Sequence, residues 1–447
     1  MSKITVDPNK NIGRIKPMNA VNNGPVKAAP SFPLMGNFDS YRDAKFSYVR
    51  NHDASFCHNY GGEKTVDINA IFSDFSKDPY DPESYDFACS DYYHANILEA
   101  GCQIFYRLGN KIDHRIKKYD SIPPADYHKW AIICEHIIKH YNEGWANGFH
   151  HNIEYWEIWN EPDCRNGDGS YPCWQGTFED FRDFFLVSAK YLKETFPNLK
   201  IGGPAMASVW SPVDRLMPKF PEHGVYLDFY SYHWYGNDVK MFIQTLERGR
   251  KQADEYFGKQ AETILNEYNY IRGWSGDDWT YSLNSERGLK GASFNASLMA
   301  VSQTSGLLDM LMYYDARPCG MNGMFNQVGY TKLKTYYTIS AFSTLNELGT
   351  EVASESADDV YSVAATDKNG KGAVLLSYYN EDDNSPEKTV KLSFKGFGKK
   401  VKAEYYLLDE GHDMELMREE IFTADEFAAY VKMPLFTTYL IKFEITE

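Results

Sequence analysis

Two glutamates stand out for where their neighbours would place them. In Glu154-Tyr155-Trp156-Glu157-Ile158-Trp159-Asn160-Glu161-Pro162-Asp163, aromatic and branched residues favour a buried strand over 155–159. Pro162 cannot extend a ladder, so the chain leaves the sheet there and Glu161 sits at the strand's C-terminal tip. Downstream, Glu262-Thr263-Ile264-Leu265-Asn266-Glu267-Tyr268-Asn269-Tyr270 reads as a second short strand that delivers a carboxylate, Glu267. Two carboxyl groups on separate strand ends suit cleavage of a glycosidic bond. A retaining mechanism needs them about 5–5.5 Å apart, an inverting one roughly 6.5–9.5 Å. An isolated glutamate is usually a surface or loop group; the Asn-Glu-Pro context and the matching partner make these two different.

The pair Ile158-Trp159-Asn160-Glu161-Pro162 and Leu265-Asn266-Glu267-Tyr268 resembles the acid/base and nucleophile motifs of the clan A glycoside hydrolases. Within that clan it most resembles glycoside hydrolase family 39, which includes β-xylosidases, α-L-iduronidases and some arabinose-releasing enzymes. Val49-Arg50-Asn51-His52 resembles the family's Arg-x-His at the end of strand one, and Asp228 to Tyr235 its strand six. The resemblance runs from about Phe46 to the C-terminus and implies Glu161 as general acid/base and Glu267 as nucleophile. It further implies that Asn160 donates to the sugar 2-OH, that His233 contacts the sugar or the acid, and that Tyr235 hydrogen-bonds the nucleophile. His233 and Tyr235 are two apart and share a strand face, as do Arg50 and His52. His52 is expected on a sugar hydroxyl, and Arg50 either braces the nucleophile from below or touches substrate. For each of these residues an ordinary core or turn role is the alternative. Where the clan often has Trp after strand eight, this chain has Met312-Tyr313-Tyr314-Asp315-Ala316-Arg317-Pro318. Asp315 and Arg317 then either supply polar sugar contacts or pair with each other. Trp274, and the loop Cys164 to Gly176 with Tyr171 and Trp174, are candidate pocket walls.

Positioning these groups requires a scaffold that lines up strand ends. Strands are expected near Phe46–Arg50, Asp67–Phe72, Gln103–Leu108, Tyr155–Trp159, Leu199–Pro204, Leu227–His233, Glu262–Asn266 and Leu308–Tyr314, each followed by a helical stretch. Eight such units predict an α/β fold, a (β/α)8 TIM barrel over residues 41–348, with its active site at the C-terminal strand ends. Glu161 then lies on strand four and Glu267 on strand seven. Residues 349–447 alternate apolar and polar residues between turns such as Asp367-Lys368-Asn369-Gly370, which predicts a C-terminal antiparallel β-sandwich. Residues 1–40, rich in Gly, Pro and Asn, read as an irregular N-terminal arm packing on the barrel or sandwich.

Composition narrows the partners. The 447 residues carry a net charge of −16, which repels nucleic-acid backbones and anionic membranes. Seven cysteines without paired C-x-x-C spacing suit free, mostly buried thiols in a reducing compartment, with a Cys164–Cys173 bridge as the alternative. Met1-Ser2-Lys3-Ile4-Thr5 starts no apolar leader, so a cytoplasmic protein is expected. No metal-ligand spacing and no phosphate-binding Gly loop is present, so neither metal nor organic cofactor is expected. The partner is an oligosaccharide or polysaccharide, with neither nucleic acid nor membrane, and an oligomer is compatible. The chain therefore reads as a retaining glycoside hydrolase, exo-acting on xylosyl or arabinofuranosyl oligosaccharides. An endo-acting or disaccharide-releasing enzyme on the same scaffold is the alternative, and a non-catalytic carbohydrate-binding protein the alternative of another class.

Overall fold

The computed structural model describes residues 2–31, 35–53, 64–318, 321, 323–395, 398–423 and 426–446. Its first strand, β1 (Ser2–Arg14), joins the C-terminal sheet, and the chain then enters the barrel at β2 (Ala20–Asn22). Seven further parallel strands close the barrel: β3 (Tyr48–Arg50), β4 (Gln103–Leu108), β5 (Tyr155–Ile158), β6 (Lys200–Met206), β7 (Phe229–Gly236), β8 (Glu262–Tyr270) and β9 (Met310–Tyr313). β9 pairs with β2 to complete the ring.

The barrel is thus the expected one, with two corrections to its staves. The expected irregular arm contains β1 and the first barrel stave, β2. A three-residue strand among Gly, Pro and Asn is too short to show a period, although all of Ala20–Asn22 is buried. Consequently Arg50 ends the second stave, not the first, and His52 follows it. The segment Asp67–Phe72 holds a short helix, Ile68–Ile71, because the Asp67 carboxylate is bound by Arg107 and by the Lys111 backbone NH. Gain and loss cancel, so β5 and β8 remain staves four and seven.

Side chains inside the barrel form layers, because alternate residues of each strand point inward. The floor is apolar: Ala20, Phe105, Tyr155, Phe229, Ile264, Met310 and Met312 pack together, with Tyr48 against them. Two residues further along the strands the interior turns polar, with Asn22, Arg50, Glu157, Ser231 and Asn266 all buried. Helices cover the outside. Tyr127–Glu143 starts on Asp126, whose side chain accepts from Lys129 NH, and Phe178–Thr195 starts on a capping box between Thr177 and Asp180. Gly203 has φ +136°, and a Cβ there would meet the Ile158 carbonyl at 2.7 Å, so β6 can lie this close to β5 only with glycine.

The second sheet has nine strands: β1 with β10 (Thr350–Ser354), β11 (Val360–Thr366), β12 (Lys371–Tyr378), β13 (Lys388–Lys395), β14 (Lys400–Leu408), β15 (Asp413–Thr423), β16 (Glu426–Met433) and β17 (Thr438–Ile445). Their order is β15-β14-β17-β12-β11-β10-β1-β13-β16, mostly antiparallel, with β1 and β13 parallel. Phe394 of β13 and Phe443 of β17 have ring centroids 5.7 Å apart although four strands separate them in the sheet. A flat sheet would hold those strands roughly 24 Å apart. The sheet therefore curls until its halves face each other, as in a sandwich, around Ile4, Val6, Val374, Leu392 and Ile441. Its other face joins the barrel core through Val363, Ala365, Ala373 and Leu375. Ser377 Oγ donates to the Ser293 carbonyl (3.0 Å), and Lys290 Nζ to the Glu381 carbonyl (2.8 Å) and Asp383 Oδ1 (2.9 Å). β15 escaped the alternation pattern because it is an edge strand with eight of its eleven residues exposed. No described helix is long and apolar enough to cross a membrane.

β1 is central to the sheet although it comes first in the chain. Residues 2–6 pair in parallel with β13, and β10 pairs antiparallel on the other side. Deleting residues 1–14 is expected to expose two strand edges and unbury Ile4 and Val6, a loss of at least about 3 kcal/mol. Chemical denaturation would show it as a lower midpoint; an unchanged midpoint would contradict this sheet order.

Candidate active site

Glu161 is placed by a turn, not by its strand. After β5, Trp159 (φ +75°) and Glu161 (φ +47°) adopt left-handed backbone, which non-glycine residues rarely hold without compensation. The compensation is visible. The Trp159 indole donates to the Cys173 carbonyl (3.1 Å), and its ring packs edge-on against Trp174 and Phe184. Glu161 NH donates to the Ala205 carbonyl (2.9 Å), and Cys164 NH closes the turn on the Glu161 carbonyl (3.0 Å). The Asp163 carboxylate ties the turn to the loop after β6, accepting from Ala207 NH (2.8 Å), Ser208 NH (3.1 Å) and Ser211 Oγ (2.5 Å).

Glu267 is placed by a β-bulge. Tyr232 pairs with Leu265 and His233 with Glu267, so Asn266 is the extra residue in β8. A bulge lets consecutive residues face one side. Both do: Asn266 Nδ2 donates to Glu157 (2.5 Å), while Glu267 Oε1 accepts from Arg50 Nη1 (2.6 Å) and Oε2 from Tyr235 OH (2.8 Å).

Arg50 joins these elements. Fully buried, it donates from Nε to Glu157 Oε2 (2.7 Å), from Nη1 to Asn22 Oδ1 (3.1 Å) and to Glu267, and from Nη2 to Asn160 Oδ1 (2.7 Å). It sits beneath the nucleophile candidate. Glu157, also fully buried, accepts Ser231 Oγ (2.5 Å) and Asn266 on its other oxygen. Arg50 takes the Asn160 carbonyl oxygen, which fixes the amide and leaves its NH2 as the donor.

His233 stands between the two carboxyls, with Nδ1 2.8 Å from Glu161 Oε1 and 3.4 Å from Glu267 Oε2. Burial pushes its pKa down to about 4, so the ring is neutral, and Nδ1 is the nitrogen that faces both carboxyls. An oxygen of Glu161 and an oxygen of Glu267 lie within 4.8 Å of each other. Burial pushes Glu161 up to about 7, against the more distant Arg50. Burial also raises Glu267, but the direct Arg50 and Tyr235 bonds favour its charged form. The two groups therefore differ in setting: Glu267 has a guanidinium in direct contact, whereas burial holds the Glu161 proton to near neutral pH.

Around this pair, His52 is buried with Nε2 3.8 Å from Glu267 Oε1, its carbonyl held by Arg107 Nη2 (2.7 Å). Trp274 is 60% exposed at the rim, its ring 5.3 Å from that of Tyr235 and 5.7 Å from that of Trp279. Asp315 follows Tyr314, whose ring lies 6.2 Å from that of His52 and 6.3 Å from that of Tyr235. It is fully buried and bound by Arg317, through NH (2.5 Å) and Nε (2.8 Å), so pairing and not sugar contact describes it. Tyr314 beside it donates to Asp53 (2.9 Å). Sequence reasoning missed Glu157, Asn22, Ser231 and Asn266; the available signal was an acid, Glu157, inside an otherwise apolar strand. Cys89, Cys102, Cys134, Cys164 and Cys173 are free thiols, so the Cys164–Cys173 bridge is not formed. Cys57 and Cys319 lie outside the described residues.

A closed eight-stranded barrel with two carboxyls at the ends of staves four and seven is the architecture of a glycoside-cleaving barrel. The family model for glycosyl hydrolases family 39 matches residues 3–300, beginning well before Phe46 because it includes β1 and β2. This chain belongs to glycosyl hydrolases family 39. A glucosidase structure from Croceicoccus marinus matches with a TM-score of 0.78 at 19% identity, covering 100% of both chains. A monomeric beta-xylosidase from Caulobacter crescentus CB15 matches with a TM-score of 0.70 at 15% identity, again over 100% of both. These two likenesses speak to the fold. A beta-xylosidase from Geobacillus stearothermophilus is 25% identical over 187 residues, 39% of this chain and 31% of that relative. The chain thus spans about a third of the length of that curated relative.

Arg50→Met is expected to cost about 3–5 kcal/mol by urea denaturation near neutral pH, because it strands the buried Glu157 and Glu267 charges. Lowering the pH should recover part of that loss as the stranded Glu267, already raised by burial, takes up a proton. A variant as stable as the parent would contradict the role given to Arg50.

Proposed function

We propose that the protein is a retaining, exo-acting glycosidase that removes terminal pentose units, β-D-xylosyl first and α-L-arabinofuranosyl second, from oligosaccharides. The observation that carries the mechanism is the approach of the two carboxyls to within 4.8 Å. That short approach suits direct attack by one carboxylate, in line with the closer spacing of a retaining pair. The similarity to a beta-xylosidase supports the choice of sugar.

In this reading Glu161, protonated below its pKa, gives its proton to the departing oxygen while Glu267 attacks the anomeric carbon. The C–O bond to the leaving group breaks as the glycosyl–Glu267 ester forms. Glu161, now ionised, takes a proton from water, whose oxygen attacks the anomeric carbon and frees Glu267. Arg50 and Tyr235 hold Glu267 and receive it back as a carboxylate. Asn160, its oxygen fixed by Arg50, donates its amide to the 2-OH, a bond that tightens in the transition state. His233 keeps the proton inventory between the two acids, His52 meets a sugar hydroxyl, and Trp274 walls the leaving-group side.

Across nitrophenyl glycosides, β-D-xyloside or α-L-arabinofuranoside is expected to turn over in wild type and to stall in Glu267→Ala. Turnover of only hexosides would overturn the pentose assignment. The protonated form of Glu161 is the competent one, so kcat/KM should fall as pH rises through about 7. Glu161→Ala should cost about 10²–10⁴-fold on xylobiose and far less on an aryl glycoside whose leaving group needs no proton. Equal losses on the two substrates, or a basic limb that survives the substitution, would remove Glu161 from this role.

A further inference from the structure

Glu161 has a second set of neighbours. The turn Glu161-Pro162-Asp163-Cys164 folds Cys164 back onto the Glu161 carbonyl, and the Trp159 indole pins the Cys173 carbonyl beside it. As a result a Glu161 carboxylate oxygen and the sulfurs of Cys164 and Cys173 all lie within 4.8 Å of one another. Both thiols are free; Cys173 is buried and Cys164 half-buried. The eight residues between the cysteines hide this grouping from any spacing rule, because the fold and not the local sequence brings them together.

We infer that Glu161, Cys164 and Cys173 form a site for a thiophilic divalent cation of the zinc type, and that an ion there silences the acid/base. Zinc takes sulfur at about 2.3 Å and carboxylate oxygen at about 2.0–2.2 Å in a tetrahedron, which sets donors about 3.3–3.8 Å apart. The observed grouping reaches that with side-chain rotations, on two pinned backbone segments. The Glu161 side chain is 15% exposed, so solvent can supply the fourth ligand. Glu161, His233 and Glu267 also lie within 4.8 Å of one another, but Arg50 at 2.6 Å from Glu267 repels a cation there. On binding, two thiol protons and any proton on Glu161 pass to solvent, and the coordinated carboxylate can no longer donate to a leaving oxygen. Only this last consequence rests on the proposed function; the binding does not.

The test uses the full chain with thiols reduced and the reductant removed under nitrogen. Co2+ titration of wild type should produce thiolate-to-cobalt charge-transfer absorption that saturates at one equivalent and is displaced by Zn2+. Cys173→Ser should lose that absorption. In parallel, Zn2+ should inhibit wild-type glycoside hydrolysis, and Cys173→Ser, compared with its own uninhibited rate, should need at least about tenfold more Zn2+. A folded wild type without the absorption, or a Cys173→Ser protein that retains it, would overturn the site. Because the cobalt spectrum needs no substrate, its outcome is separate from success or failure of the glycosidase assignment.

Discussion

One guanidinium at the barrel centre holds the site together. Arg50 carries no exposed surface, and its donors reach Glu157, Glu267, Asn160 and Asn22, residues from three different segments. Burying such charges is expensive, and their mutual attraction balances the cost only when geometry is good and the remaining lone pairs are filled. Here they are filled: Ser231 and Asn266 complete Glu157, and Tyr235 completes Glu267. A lysine would supply the charge without the planar fork, and the frame would lose its shape. The apolar floor beneath, from Phe105 to Met312, keeps water from competing for these bonds.

From that frame follows the asymmetry of the two carboxyls. Glu267 rides on a strand and is re-aimed by a single extra residue into direct contact with Arg50. Glu161 hangs from a left-handed turn beyond the strand end, where burial acts on it and no cation among the described residues is in direct contact. Equal chemical groups thereby sit in unequal surroundings, one braced by a guanidinium and the other raised by burial to about 7. His233, neutral and touching both, couples them without adding charge.

Much of this was legible in the chain. Asn160-Glu161-Pro162 announces a strand that stops, and the repeat of strands and helices leads to the barrel and to the numbering of staves four and seven. What stayed hidden has physical reasons. β2 is three residues long and shows no period; β1 pairs with strands almost the whole chain away; β15 lies at an exposed edge and lacks an apolar face. The bulge at Asn266 depends on register against β7, which no single strand encodes. Asp315 and Arg317 looked equally suited to sugar or to each other, and only burial separates the two possibilities. The meeting of Cys164 and Cys173 at Glu161 depends on where the Trp159 indole finds its acceptor.

The central claim is that Glu267 forms a covalent bond with the sugar. Incubation with an activated 2-deoxy-2-fluoro-β-xyloside, or the matching arabinofuranoside, followed by proteolysis and peptide mass spectrometry, tests it most directly. The account predicts one adduct, on the peptide containing Glu267, forming as activity is lost and disappearing as activity returns. An adduct on Glu161, or inversion of anomeric configuration by a protein that takes no label, would contradict it.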